Sequence, residues 1–296
     1  MTARRGTVLH ALCLFALVTA APCAGRETAV PVETLFDYDR DLPMNLREEK
    51  VEETGDYTKY HVSFRSRHER VAQAILALPA RGSPPHPVLM FQHGINDNKD
   101  NMFEKYGVEL IRGGYAVFIM DGELHGERAT DVSRELVRYP VTFRDVFVQT
   151  VVDLRRAVDY LKGRGDLDAG RLGYIGYSLG SFEGTVFASL DKRVKAVALV
   201  VCGSFENTFA PLKMMPGYRE TALIMDGRGY IGRISPRPLL MVNGEDDVLI
   251  PPESAKALFE AAGEPKKLVM LPAGHTIPAG LLVPALLEWM GNNLGG

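Results

Sequence analysis

The chain alternates short, wholly apolar runs with longer segments in which apolar residues recur every three or four positions. Val88-Leu89-Met90-Phe91 is apolar throughout and ends at His93-Gly94, as expected of a strand buried on both faces. Ala116–Met120, Leu172–Ile175, Val194–Val201, Pro238–Val242 and Lys267–Leu271 read the same way. Ahead of them, Tyr60–Phe64 and Val71–Leu78 lie near turn residues and read as an antiparallel pair of strands. The stretch before these, to about Glu49, is polar.

Between the runs lie helical patterns. Met102, Tyr106, Leu110 and Ile111 mark one helix face, stopped by Gly113-Gly114. From Phe143 to Leu161, the positions Phe147, Val151, Leu154, Val158 and Leu161 form an apolar stripe, and Asp153, Arg155, Arg156 and Asp159 form the polar side. Further helices are predicted over Leu179–Leu190, Glu253–Ala262 and Ala279–Asn293. This alternation implies an α/β fold with a mostly parallel central sheet of about eight strands and helices on both faces. A single domain over residues 26–296 follows, since no repeat or shift of composition divides it. Two connections exceed ordinary length, Gly126–Pro140 and residues 204–236. The second contains Phe205, Phe209, Met214, Met215 and Tyr218, and is expected to act as a lid or pocket wall or to pack as a peripheral helix.

Residues 1–25 follow a different rule. Arg4 and Arg5 precede an apolar run from Val8 to Ala21, followed by Ala24 and Gly25, the order of a secretory signal peptide. The run is shorter than the roughly 20 residues of a membrane span, so export with removal of the segment is expected rather than stable membrane insertion. Of the three cysteines, only Cys202, with or without Cys23, would then remain, too few for an intramolecular disulfide framework.

Composition narrows the function. With 296 residues, 46% hydrophobic and 24% charged, the chain can bury a large core. A net charge of −3 without a Lys/Arg-rich run supplies no field for nucleic acid or an anionic membrane. A small molecule is the expected partner, and the oligomeric state is not readable.

Gly176-Tyr177-Ser178-Leu179-Gly180 stands between an apolar strand and a helical segment, the context of a nucleophile elbow. A strand turning sharply into a helix strains the central residue and brings neighbouring backbones so close that glycine is needed on either side. A serine hydroxyl needs a base to take its proton and a carboxylate to orient that base. Gly244-Glu245-Asp246-Asp247 follows one strand and Gly274-His275 follows the last. Both therefore lie at strand carboxyl ends, where open α/β sheets place their sites.

With these motifs the chain resembles the α/β-hydrolase superfamily, in particular small serine esterases similar to dienelactone hydrolases, acetyl xylan esterases and the catalytic domains of prolyl oligopeptidases. The resemblance runs from about Val71 to the C-terminus. It rests on His93-Gly94-Ile95, Asp121 to His125-Gly126, Gly176–Gly180, Gly244-x-x-Asp247-x-x-Ile250-Pro251 and Gly274-His275. It implies carboxylic ester hydrolysis with Ser178 as nucleophile, His275 as base and Asp247 as acid, Asp246 being the rival for that last role. Backbone N–H groups of Ile95 and Leu179 would form the oxyanion hole, each donor lowering the barrier by about 3 kcal/mol. His93, Asp121 and His125 would shape loops or the pocket. No cofactor is implied, and His93, Asp121 and His125 lack the tight pairing of a zinc site. The same scaffold carries other chemistries, so a prolyl-oligopeptidase-type peptidase, an acyltransferase and a non-catalytic binding protein stand as alternatives.

Overall fold

A computed structural model describes residues 31–133 and 138–295; the expected signal peptide, residues 1–25, lies outside them. Nine strands form one sheet in the order β1-β2-β3-β5-β4-β6-β7-β8-β9. They are β1 (Arg47–Glu53), β2 (Tyr57–Arg65), β3 (Val71–Pro79), β4 (His86–Gln92), β5 (Ala116–Met120), β6 (Leu167–Tyr177), β7 (Ala196–Val200), β8 (Leu239–Gly244) and β9 (Lys266–Leu271). The first three pair antiparallel, β3 meets β5 antiparallel, and all pairings from β5 through β9 are parallel.

The wholly apolar runs exist because the sheet is covered on both faces. Val88 and Met90 of β4, with Ala116, Phe118 and Met120 of β5, enter one core. Leu89, Phe91, Val117 and Ile119 enter the other. The first core is closed by α3 (Pro140–Lys162) and α4 (Leu179–Leu190), through residues such as Phe147, Val151, Val186 and Phe187. The second is closed by α8 (Ala279–Leu294) and by α1 (Lys99–Met102), which continues through a π-helical turn into α2 (Val108–Arg112). Among the described residues no helix is long and apolar enough to cross a membrane, and Cys202 is a buried free thiol.

All eight expected strands are present, and the ninth is β1. Its sequence, Arg-Glu-Glu-Lys-Val-Glu-Glu, is exposed almost throughout. An edge strand that buries neither face leaves no hydrophobic periodicity, and its charges blunt the open edge. A second difference concerns α3. Its polar side is not a solvated face: Asp153 and Arg156 are buried. The segment before β1 lies over that side, inserting Phe36 into the core. Arg156 donates to the Leu42 carbonyl at 2.8 Å and to that of Arg65 at 3.2 Å. Arg155 donates to the Phe36 carbonyl at 2.6 Å, and Tyr38 to Asp159 at 2.9 Å. Asp153 is paired with Arg128 at 2.8 Å. The charged groups of this helix are thus hydrogen-bonded to peptide carbonyls or paired with a partner side chain, as burial requires.

Residues 204–236 fold into α5 (Phe205–Thr208), α6 (Tyr218–Met225) and three 3-10 turns. The remaining helix is α7 (Pro252–Ala261).

Candidate active site

Four strand ends build the site. At the end of β6, Ser178 adopts φ 52 and ψ −115 before α4 begins at Leu179, a left-handed conformation strained for a residue with a side chain. A methyl group on Gly176 would meet the Gly180 carbonyl, and one on Gly180 would meet the Gln92 carbonyl. Both glycines are therefore required by backbone crowding. The turn projects Ser178 Oγ to 2.9 Å from His275 Nε2.

His275 follows β9, and its Nδ1 lies 2.8 Å from Asp247 Oδ2. Asp247 is buried on the loop after β8. Its other oxygen accepts the N–H groups of Leu249 and Ile250 at 2.8 and 2.9 Å. Asp246 is exposed and its backbone N–H goes to the Ala273 carbonyl. The carboxylate facing the histidine is thus that of Asp247. Held at both oxygens, it can keep a proton on Nδ1 and leave Nε2 free to take one from Ser178.

The loop after β4 completes the rim. Gly94 packs so closely on the elbow that a methyl there would sit 3.2 Å from Ser178 Cβ. The Gly180 N–H donates to the His93 carbonyl at 3.1 Å, tying β4 to α4. Ile95 and Leu179 both line the cavity in front of Ser178. The Leu179 amide opens α4 and has no intrahelical acceptor.

His93, Asp121 and His125 hold this loop from behind. His93 Nε2 accepts the Gly122 N–H at 2.9 Å, so the proton resides on Nδ1, which donates to the Gly94 carbonyl at 2.7 Å. His125 Nε2 lies 2.8 Å from the Ile95 carbonyl, and its Nδ1 lies 2.8 Å from that of Glu123. Asp121 accepts the backbone N–H groups of Lys99 and Glu127 at 2.9 and 3.1 Å, and pairs with the buried Lys99 ammonium at 3.2 Å. Among the described residues no group of three or more His, Cys, Asp or Glu side chains is placed to hold a metal ion.

Burial, and then the neighbouring His125, hold the His93 imidazole down at about 4. An unfolded chain titrates histidine near 6.5. Between those values the unfolded state takes up a proton that the folded state refuses, so stability falls as pH drops from 6.5 towards 4. The contribution of this residue is at most about 1.4 kcal/mol per pH unit. Urea unfolding across that range should give a shallower pH dependence for His93→Asn than for the wild type; identical slopes would remove His93 as the cause.

Two tyrosines anchor the base, a role the sequence assigns to neither: Tyr106 reads there as a helix-face residue and Tyr177 as the variable residue of the elbow. The Tyr177 hydroxyl donates to the His275 carbonyl and accepts the Ile277 N–H, each at 2.9 Å. Tyr106, with its ring stacked on Tyr177 at 5.9 Å, donates to the Ile277 carbonyl at 3.1 Å. Their partners are backbone groups about a hundred or more positions away, which no motif encodes.

The cavity at Ser178 measures about 380 Å³ and is also lined by Phe143, Phe182, Thr208, Phe209, Leu249 and Thr276. Of the apolar residues noted in 204–236, Phe209 reaches it, whereas Phe205 and Tyr218 are buried elsewhere and Met214 is exposed. A larger cavity of about 680 Å³, lined by Arg67, Arg70, Glu123, Arg144 and Gln149, contains none of Ser178, Asp247 or His275.

No family model matches the chain. The uncharacterized protein YfhR of Escherichia coli O157:H7 is 29% identical over 133 residues, 43% of this chain and 45% of that protein. The putative hydrolase YtaP of Bacillus subtilis is 26% identical over 156 residues, 47% of this chain and 50% of that protein. The match thus spans about half the length of these relatives or slightly less. Among solved structures, acetyl xylan esterase 1 from Thermoanaerobacterium sp. JW/SL YS485 superposes with a TM-score of 0.71 at 18% identity, covering 90% of this chain and 92% of that one. At such identity the shared property is architecture, and the chain has the α/β-hydrolase fold.

Proposed function

We propose that the protein is a serine hydrolase that cleaves carboxylic esters of small molecules through an acyl-enzyme. The observation that carries this reading is the unbroken series of hydrogen bonds from Ser178 through His275 to Asp247, opening on a partly apolar cavity. Ser178 Oγ attacks the ester carbonyl as His275 Nε2 takes its proton. The oxyanion is received by the N–H groups of Ile95 and Leu179. When the intermediate collapses, His275 returns the proton to the departing alcohol. Water then repeats the sequence on the acylated serine. The names borne by the similar proteins, acetyl xylan esterase and putative hydrolase, support the reaction class. Export through residues 1–25 belongs to the same proposal and is supported by the paired arginines and the apolar run that follows them.

The test is hydrolysis of nitrophenyl acetate and butyrate, combined with labelling by a fluorophosphonate probe and mapping of the label. Turnover and a label on Ser178, both lost in Ser178→Ala, are expected. A protein inert to esters and probe alike would overturn the proposal, as would faster turnover of a prolyl-nitroanilide than of either ester.

A further inference from the structure

We infer that Phe209 sets the length of the acyl group the site accepts, so that the substrates are esters of short, uncharged acids. The inference rests on the ester-hydrolase reading and adds its selectivity. His275 must return a proton to the leaving oxygen, so the alcohol departs on the side of His275, whose cavity neighbours are Tyr177 and Thr276. The acyl group remains on Ser178 and points the other way.

The acyl side is assigned to the part of the wall that three phenylalanines form. Phe182 stands one turn beyond Ser178 on α4, Phe143 comes from α3, and Phe209 comes from the chain just after α5. The Phe209 ring lies edge-on to both, with centroids 5.8 Å from Phe182 and 6.0 Å from Phe143. Outside the triad the charged side chain lining the cavity is Asp97, already paired with Lys105 at 2.8 Å, so a charged acyl chain would be desolvated without a free partner.

The three rings differ in what lies behind them. Phe143 and Phe182 are buried, at 4% and 2% exposure, and back onto the core. Phe209 is half-buried, comes from the connection after α5 and rests on the buried Phe205 ring with centroids 4.5 Å apart, so it forms a wall whose truncation lengthens the cavity by the volume of its own ring. With about 380 Å³ shared between both halves of the ester, the site is at the small end for ligand pockets. A long acyl chain would meet the Phe209 ring.

The experiment compares kcat/KM for nitrophenyl acetate, butyrate and octanoate in the wild type, Phe209→Ala and Phe209→Trp. Folding is checked by thermal melting and by fluorophosphonate labelling. Wild-type activity should fall from butyrate to octanoate. Phe209→Ala should raise the octanoate-to-acetate ratio by about tenfold or more, the scale on which apolar pockets discriminate by methylene groups. Phe209→Trp should lower the butyrate-to-acetate ratio. If Phe209→Ala does not fold, Phe209→Leu should give a smaller shift in the same direction. Ratios unchanged in folded, labelled variants would overturn this inference and leave ester hydrolysis standing. A wild type inactive on all three esters would overturn both.

Discussion

Ser178→Ala is expected to lower kcat on a short nitrophenyl ester by about 10⁶-fold, and Asp247→Asn by about 10⁴-fold, with both proteins melting close to the wild type. Alanine removes the attacking oxygen and leaves the cavity otherwise intact. The asparagine case follows from hydrogen-bond direction. Asp247 Oδ1 is fixed by two backbone donors, the amides of Leu249 and Ile250. An asparagine keeps its single carbonyl there and so turns its NH₂ towards His275 Nδ1. That nitrogen must then accept, the imidazole proton moves to Nε2, and the atom facing Ser178 Oγ can no longer take a proton. Asp246→Asn, at an exposed position, should stay within about twofold of wild type, on the scale of neutral surface changes. Because the three groups act as one unit, the double variant Ser178→Ala/Asp247→Asn should be no slower than Ser178→Ala. Steady-state kinetics with circular dichroism checks each point. A folded Asp247→Asn within tenfold of wild type would remove Asp247 from the mechanism.

What could be read in the sequence is what local chemistry dictates. Val88–Phe91 and Ala116–Met120 declare themselves because alternate residues enter two different cores, so no polar position is tolerated. The elbow is legible because two glycines are forced by backbone crowding within five residues. Other features depend on what covers them. The edge strand β1 packs on neither side and shows no pattern. Arg156 reads as a solvated charge on α3 until the segment carrying Leu42 lies over it, more than a hundred residues away in sequence. The choice between Asp246 and Asp247 rests in three dimensions on which carboxylate is buried against two amides. Tyr177 occupies a variable position of a familiar motif, and only the folded chain brings it to the backbone of the loop that carries His275.

Gly180→Ala is expected to reduce both stability and rate, because one atom added there pushes on the two elements that make the site. The added methyl would overlap the Gln92 carbonyl and lie 2.8 Å from that of His93. Both are backbone atoms of the central strand and its exit, with no rotamer through which to escape. The helix must therefore move away from β4, stretching the bond between the Gly180 N–H and the His93 carbonyl. Overpacking of this kind costs about 1–3 kcal/mol or more, a fall in Tm of about 2–5 °C or more for a chain of this size. The same displacement separates the amides of Leu179 and Ile95, which belong to the helix and to the strand's loop. Losing one donor geometry costs about 10²-fold or more in kcat, while substrate binding changes less because the ground-state carbonyl needs those donors less. Gly229→Ala serves as the control: nothing lies within 4 Å of a methyl there, so Tm and kcat should both hold. Thermal unfolding and kcat/KM measured on the two variants side by side give the answer. A Gly180→Ala protein that melts and turns over like Gly229→Ala would mean that strand and helix are not locked together at this contact.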